Sequence, residues 1–200
     1  MIYRWIDMSG RPKEYDDQAV IESAMNVFWN NGYEASGTQT LCEVTGLGRG
    51  SLYHAFGNKQ GLYQKALRHY QEMGIHYQRE ILSADKPAKE RLLDMLRWGI
   101  SIDLDLENPR GCLALHSVLE RNFKDPEIQS INQHYLLRLA SMIEKVIAEG
   151  VGKDEFTPST DITTSAKAFL SGYYGLRIMG ITMPDRDYLL QAAEGIVGKI

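Results

Sequence analysis

The chain is poor in the residues that build disulfide frameworks and metal centres. Its 200 residues include two cysteines, Cys42 and Cys112, and five histidines. The cysteines stand far apart without the paired spacing of a zinc site, and no His-Glu-x-x-His arrangement occurs. The sequence therefore predicts no metal site, no cofactor and no enzymatic activity.

Long apolar runs and an excess of basic charge are also absent. No stretch reaches the length of a bilayer-spanning helix, and residues 1–10 lack the apolar segment of a secretory signal. We expect no membrane association and a cytoplasmic location. The net charge of −4 argues against a protein that coats nucleic acid non-specifically, although it leaves room for a local basic footprint. A hydrophobic content of 44% suffices for a real core.

The most informative stretch is 37–56. Leu41 and Val44 repeat at helical spacing, Gly46 interrupts, and Leu52 and Phe56 resume the spacing. This pattern predicts a helix-turn-helix in which the glycine takes the left-handed conformation of the corner. The positions expected to bury are Leu41, Val44, Leu47, Leu52 and Phe56. Ser36 and Gln39 have the spacing of a capping box for the first of these helices.

Two other interpretations of this stretch stay open at the level of spacing. The two helices could form an ordinary helical hairpin in a core. Alternatively, Gly46, Gly48 and Gly50 could cradle a phosphate, but such a loop follows a strand, and residues 38–45 lack the period-two alternation of one.

The residues at 32–36 and 45–59 resemble the DNA-binding domain of the TetR/AcrR family of bacterial transcriptional repressors. The resemblance covers about the first third of the chain, and it departs from the family at Gly48, where a serine cap is usual. It implies an all-α protein with an N-terminal helix-turn-helix domain followed by a larger helical ligand-binding and dimerisation domain. It also implies double-stranded operator DNA, a small-molecule effector and a second copy of the chain as partners.

We expect an arm over 1–13, the helix-turn-helix domain over 14–74 and the helical domain over 75–200. Residues 10–13 of the arm are extended and basic, which suits a minor groove or a phosphate backbone, and the alternative is a disordered tail. The second helix of the motif would present its N-terminal residues to base edges, and Lys59 would sit at the start of the fourth helix beside phosphate. The candidate DNA-binding residues are Arg11, Lys13, Thr38, Gln39, Arg49, Gly50, Ser51, Tyr53, His54 and Lys59.

Glycines on one face of the penultimate helix indicate a close helix-to-helix approach. Each glycine inside a helix costs about 1 kcal/mol relative to alanine, which close packing offsets. That packing could lie within the subunit or between subunits, and the resemblance favours the latter because the family dimerises through its last two helices. The candidate interface residues are Ala168, Gly172, Gly175, Met179, Leu189, Ala192, Ala193 and Ile196.

Aromatic and polar residues on four helices of the C-terminal part could line a small-molecule site. The candidates are Trp98, Ile102, Cys112, His116, Tyr135, Tyr174 and Arg177. The alternative is an ordinary core. Cys112 follows Arg110 at a predicted helix start, a setting that raises thiol reactivity, so it is either a sensor or a small buried hydrophobe.

Two other classes of function remain as alternatives. The chain could be a helical enzyme or small-molecule carrier whose helix-turn-helix only packs. It could also be an interaction module that binds protein through the exposed face around Tyr53.

Overall fold

The computed structural model describes residues 15–105, 107, 110–157, 159 and 161–200. Within them the regular secondary structure is entirely α-helical, as the sequence predicts. The helices are α1 (Asp17–Ala35), α2 (Thr38–Thr45), α3 (Arg49–Phe56), α4 (Lys59–Leu82), α5 (Ala88–Asp103), α6 (Leu113–Arg121), α7 (Pro126–Gly152), α8 (Ile162–Thr182) and α9 (Arg186–Val197). No helix in this described part is long and apolar enough to cross a membrane.

Short polar side chains set the start of most of the longer helices. Each accepts a hydrogen bond from a backbone N–H of the first turn, which has no partner inside the helix. The capping residues are Asp16, Asn58, Asp125, Asp161 and Asp185. Pro126 occupies the first turn of α7, where its missing N–H is not needed.

The link between α1 and α2 differs from the predicted capping box. Gly32 breaks α1 with a φ of 74°, and the buried Ser36 hydroxyl donates to the Gly32 carbonyl at 2.5 Å. The N-cap of α2 is Gly37, which provides no side-chain hydrogen bond. The capping-box prediction is therefore wrong, because Ser36 binds the preceding break and not the following helix.

Two hydrophobic clusters form the interior, and α4 contributes to both. The N-terminal core joins α1, α2, α3 and the first half of α4 to the starts of α6 and α7. The C-terminal core joins the second half of α4 to α5, α7, α8 and α9. Since α4 is continuous through residues 74 and 75, the boundary between 14–74 and 75–200 stays a prediction.

Val44 is the one predicted inward position of the helix-turn-helix that lies exposed, with 47% of its surface open. Leu41, Leu52 and Phe56 are buried, and Leu47 is half-buried. An eight-residue helix that packs through one buried leucine presents only a narrow face to the core. Val44 falls outside that face.

Candidate nucleic-acid interface

The corner between α2 and α3 has the predicted turn chemistry. Gly46 ends α2 in the left-handed conformation, with φ of 69°. Leu52 and Phe56 anchor α3 in the N-terminal core. Gly61 then allows α4 to pass against the end of α3, because a Cβ at this position would lie 2.2 Å from the Phe56 carbonyl oxygen. The orientation of α3 therefore depends on two glycines as well as on two buried side chains.

Seven of the candidate DNA-binding residues lie on α2 and α3, and we call this set the α2–α3 face. Its members are Thr38, Gln39, Arg49, Gly50, Ser51, Tyr53 and His54, and all are exposed or half-buried. The hydroxyls of Thr38 and Tyr53 are hydrogen-bonded at 3.0 Å across the two helices. The Arg49 guanidinium lies 5.5 Å from the centre of the Tyr53 ring. The hydrogen bond to Thr38 and the nearby Arg49 lower the pKa of Tyr53, against a smaller opposing effect of desolvation.

The N-terminus of α3 is open. Gly48 is its N-cap and supplies no side-chain hydrogen bond, which leaves first-turn N–H groups without a side-chain cap. A Cβ at Gly48 or Gly50 would meet no atom within 4 Å. The surface around Arg49 is therefore free for an approaching molecule, and its uncapped N–H groups suit an anionic one.

Lys59 is turned toward α1. Its ammonium group lies 4.4 Å from the centre of the Tyr33 ring and donates to the Glu34 carbonyl oxygen at 3.3 Å. The Arg121 guanidinium lies 4.2 Å from the same ring. Partial burial lowers the pKa of Lys59. Lys59 therefore lies at the start of α4 and packs against the end of α1.

Helix α6 holds the end of α1 through contacts that sequence reasoning missed. One Glu120 carboxylate oxygen accepts from the Tyr33 N–H at 2.7 Å, and a Cβ on Gly32 would lie 2.4 Å from the other oxygen. The Trp29 indole N–H donates to the Gly111 carbonyl at 3.0 Å. No local sequence pattern marks these pairs, because the partners are 87 positions apart for Tyr33 and Glu120 and 82 positions apart for Trp29 and Gly111.

The comparisons with known proteins agree with this geometry. Residues 20–66 match the family profile described as bacterial regulatory proteins, tetR family. The chain is 29% identical over 185 residues to the uncharacterised HTH-type transcriptional regulator YezE of Bacillus subtilis strain 168, covering 90% of this chain and 93% of that one. It is 24% identical to the HTH-type transcriptional repressor ComR of Escherichia coli K12, covering 92% and 88%.

A solved structure of a cysteine mutant of the TetR-family regulator CifR, complexed with a 26-base-pair operator DNA, has the same fold. It matches with a TM-score of 0.82 and 26% identity, over 94% of this chain and 98% of that one. Residues 20–66 form the DNA-binding segment of the TetR family, and the chain as a whole is similar to regulators of that family. It is therefore a DNA-binding transcriptional regulator, and the α2–α3 face lies within the segment that matches the family profile. Arg11 and Lys13 fall outside the described residues.

The structure does not bring the seven candidate ligand residues into one site. Tyr135 and Tyr174 line a largely apolar cavity of about 190 Å³ between α6, α7 and α8, together with Ala114, Leu115 and Leu136. In contrast, Trp98 packs near Tyr77, with ring centres 6.2 Å apart. Ile102 and His116 line two separate surface pockets beside Trp29. Tyr135 and Tyr174 are therefore the predicted ligand residues that line this small cavity together.

Arg177 is occupied within the protein. Its guanidinium donates to both oxygens of Asp103, at 2.5 and 2.8 Å, and to the Tyr173 hydroxyl at 3.1 Å. Burial raises the pKa of Asp103, and Arg177 opposes that shift. Gln78 extends the buried network by donating to the hydroxyls of Tyr135 and Tyr173. These polar groups satisfy one another, so Arg177 is a structural residue of the core.

Cys112 is buried at the start of α6. Only 5% of its surface is exposed, and the Tyr70 hydroxyl donates to its Sγ at 3.6 Å. In the described part of the chain, no group of three or more His, Cys, Asp or Glu side chains could hold a metal ion. The environment of Cys112 fits the alternative of a small buried side chain that packs in the core.

The predicted dimer residues divide into two sets. Leu189 and Ala193 are buried within the chain, so they present no surface to a second subunit and the prediction needs correction there. Gly172 also approaches its own chain, since a Cβ would lie 2.9 Å from the Ile196 side chain. Ala168 and Gly175 are exposed, and Met179 and Ala192 are half-buried. The predicted residues that remain exposed or half-buried therefore lie mostly on α8, and their role as an interface stays a prediction.

Proposed function

We propose that the chain is a transcriptional repressor that binds a palindromic operator as a homodimer and is released by a small-molecule effector. The observation that carries the DNA-binding part is the α2–α3 face, where Arg49, Ser51 and His54 stand exposed on a helix whose N-terminus is open. An exposed α3 of this kind enters a major groove with its N-terminal residues toward the bases. The similarity to ComR, a transcriptional repressor, supports the sign of regulation.

The dimer is supported by the outer side of α8. Ile178 is 48% exposed there, on the same helix as the exposed Ala168 and Gly175. Apolar and small residues together allow two helices to approach closely and bury apolar area. Two copies related by a twofold axis would present their α3 helices to successive major grooves about 34–36 Å apart.

The effector is proposed to occupy the cavity beside Tyr135 and Tyr174. Helix α6 lines this cavity with Ala114, Leu115 and Val118, and it also holds α1 through Glu120. A ligand that displaces α6 would therefore shift α1 and, with it, the α2–α3 unit. Linkage requires operator DNA to weaken effector binding by the same factor, with a coupling of typically about 1–3 kcal/mol.

The test is a gel-shift titration with the intergenic DNA beside the protein's own gene. We expect a sequence-specific shift for the unmodified protein and a loss of about 1–3 kcal/mol in binding free energy for Arg49→Ala, with relaxed preference at one operator position. Lys199→Ala, on an exposed residue after α9, serves as the control and should bind normally. If Arg49→Ala weakened binding equally on every DNA sequence, we would conclude that Arg49 contacts phosphate and not a base.

Salt dependence tests the proposed phosphate contacts Arg11, Lys13 and Lys59. Three contacts per subunit double to six in a dimer, so the logarithm of affinity should fall with the logarithm of salt at a slope of roughly −5. Removing residues 1–13 should flatten the slope by more than half and keep the preferred sequence. A full slope in the truncated protein would contradict the contribution of Arg11 and Lys13.

A further inference from the structure

A cationic cleft of about 490 Å³ lies where the C-terminal end of α4 meets α5 and α7. It is at the opposite end of α4 from the α2–α3 face. Two acidic side chains, Asp85 and Glu149, line it alongside five basic ones. The basic residues are Arg79, Lys86, Arg91, Lys145 and Lys153. This local excess of positive charge stands out in a chain whose net charge is −4.

Three of the five cations form no ion pair with any residue in the described part of the chain. Lys86 pairs with Asp94 at 2.6 Å, and Arg91 pairs with Glu149 at 2.7 Å. The side chains of Arg79, Lys145 and Lys153 are exposed and form no ion pair or hydrogen bond with any residue that the structure describes. Their charges are therefore available to a ligand.

Arg91 is the buried base of this cleft, with 5% of its surface exposed. One terminal nitrogen donates to the Leu82 carbonyl at 2.9 Å, and the other donates to Glu149. Its Nε is buried without a hydrogen-bond partner among the described residues. The Glu149 side chain is 53% exposed, so a single exposed carboxylate neutralises a guanidinium that the fold holds in place. That carboxylate shows that an anionic oxygen fits against Arg91.

Three larger apolar side chains also line the cleft, together with Ser83 and Ala84. Leu82 and Val146 are buried, and Met142 is half-buried beside them. A site with an apolar floor and several cationic groups suits a molecule that has both a hydrocarbon part and a concentrated negative charge. Arginine and lysine together are well matched to phosphate oxygens.

We propose that this cleft binds a small organic phosphate. The phosphate would lie among Arg79, Lys145 and Lys153, and the organic part would cover the floor formed by Leu82, Met142 and Val146. This site is separate from the cavity beside Tyr174, and its occupancy does not depend on the proposed function in DNA binding.

Phenyl phosphate is a suitable probe, and calorimetric titration at constant ionic strength measures its binding without DNA. We expect it to bind more tightly than inorganic phosphate, because the ring covers the apolar floor, and benzyl alcohol not to bind measurably. The double variant Lys145→Glu/Lys153→Glu should weaken phenyl phosphate binding by about tenfold or more, since it removes charge-assisted contacts. Lys124→Glu/Lys199→Glu, which makes the same charge change outside the cleft, should leave binding unchanged.

Glu149→Gln gives a test of opposite sign. It removes the carboxylate that competes for Arg91, so phenyl phosphate should bind more tightly than to the unmodified protein. Equal weakening by both lysine double variants would show that only overall charge matters and would overturn the site. Benzyl alcohol binding as tightly as phenyl phosphate would also overturn it, because the cleft would then be selecting hydrocarbon and not anion.

A gel shift of the lysine variants without phenyl phosphate separates this inference from a DNA-binding role of the same surface. We expect Lys145→Glu/Lys153→Glu to keep operator binding. Loss of operator binding in this variant and not in Lys124→Glu/Lys199→Glu would show that the cleft contacts DNA, which contradicts the proposal. Failure of every variant to bind DNA would count against the proposed function and would leave the calorimetric result standing.

Discussion

The N-terminal and C-terminal halves of this protein treat their polar side chains in opposite ways. In the helix-turn-helix, α2 buries one residue and α3 buries two, and the polar residues of both stay at the surface. In the C-terminal half, Asp103, Arg177 and Gln78 are buried and bonded to one another or to tyrosine hydroxyls. The first arrangement keeps polar groups available to a partner at some expense of packing, and the second uses them to connect helices.

The largest expected effect comes from breaking the buried pair of the C-terminal half. Arg177→Met leaves Asp103 charged and without its main partner, which typically costs about 3–5 kcal/mol of unfolding free energy. Urea unfolding followed by circular dichroism measures the loss. Arg49→Met on the α2–α3 face should change stability by no more than about 0.5 kcal/mol, because Arg49 is exposed.

A paired replacement sharpens the same test. Asp103→Leu/Arg177→Met removes both charges and should recover most of the lost stability, since a buried ion pair is often no more stabilising than well-packed apolar residues. If Arg177→Met alone is as stable as the unmodified protein, the pair does not connect α5 and α8 in the way that its geometry indicates.

The next effect concerns the α3–α4 junction in the N-terminal half. Gly61→Ala places a Cβ against the Phe56 carbonyl oxygen, and overpacking of this kind costs about 1–3 kcal/mol. Gly50→Ala is the matched control, because its Cβ would meet nothing within 4 Å. In that open position alanine should raise stability by about 0.5–1 kcal/mol. If both substitutions changed the unfolding free energy in the same direction, the predicted difference between the two positions would be wrong.

The hydrogen bond between Thr38 and Tyr53 should contribute less. Tyr53→Phe removes it and is expected to lower the melting temperature slightly, by less than Gly61→Ala does, because the site is partly exposed. Tyr188→Phe is the control, since the Tyr188 side chain is 45% exposed. Identical melting temperatures for Tyr53→Phe and the unmodified protein would mean that the bond does not hold α2 on α3.

The smallest effect is a dependence on pH at the contact between the two halves. Burial raises the pKa of Asp125, but hydrogen bonds from Gln64, the Ile128 amide and Gln60 outweigh it and hold the pKa below its ordinary value. Because the pKa of Asp125 is lower in the folded protein than the unfolded value of about 3.9, its ionised carboxylate stabilises the fold above that pH. This stabilisation is lost as the pH falls through the folded pKa. Asp125→Asn should flatten the acid limb of the melting temperature between pH 5 and about 3.

Local signals in the sequence were sufficient for much of the N-terminal half. Gly46 takes the left-handed conformation that its place between two helical patterns predicts, and Asn58 and Asp125 cap helices as their residue types predict. These features depend on a few consecutive residues. Ser36 was assigned wrongly because its hydroxyl can either accept from an N–H of α2 or donate to the carbonyl at the break, and only the geometry at Gly32 decides between the two.

Residues from distant parts of the chain account for what the sequence did not reveal. Arg177 looks like a ligand contact in a list of polar residues, but Asp103, 74 positions away, occupies its guanidinium. Leu189 and Ala193 fit the stripe of an interface, but they are buried against their own chain. A helical stripe shows that one side of a helix is covered without showing which helix covers it.

The sequence by itself determined the all-α class, the helix-turn-helix and the family, because caps, turn glycines and helical spacing act over a few residues. Only the tertiary structure decided that Glu120 holds the end of α1, that Arg177 is used internally and that five cations gather at the far end of α4. Those arrangements require partners far apart in the chain, and packing brings them together. No periodicity or motif encodes that.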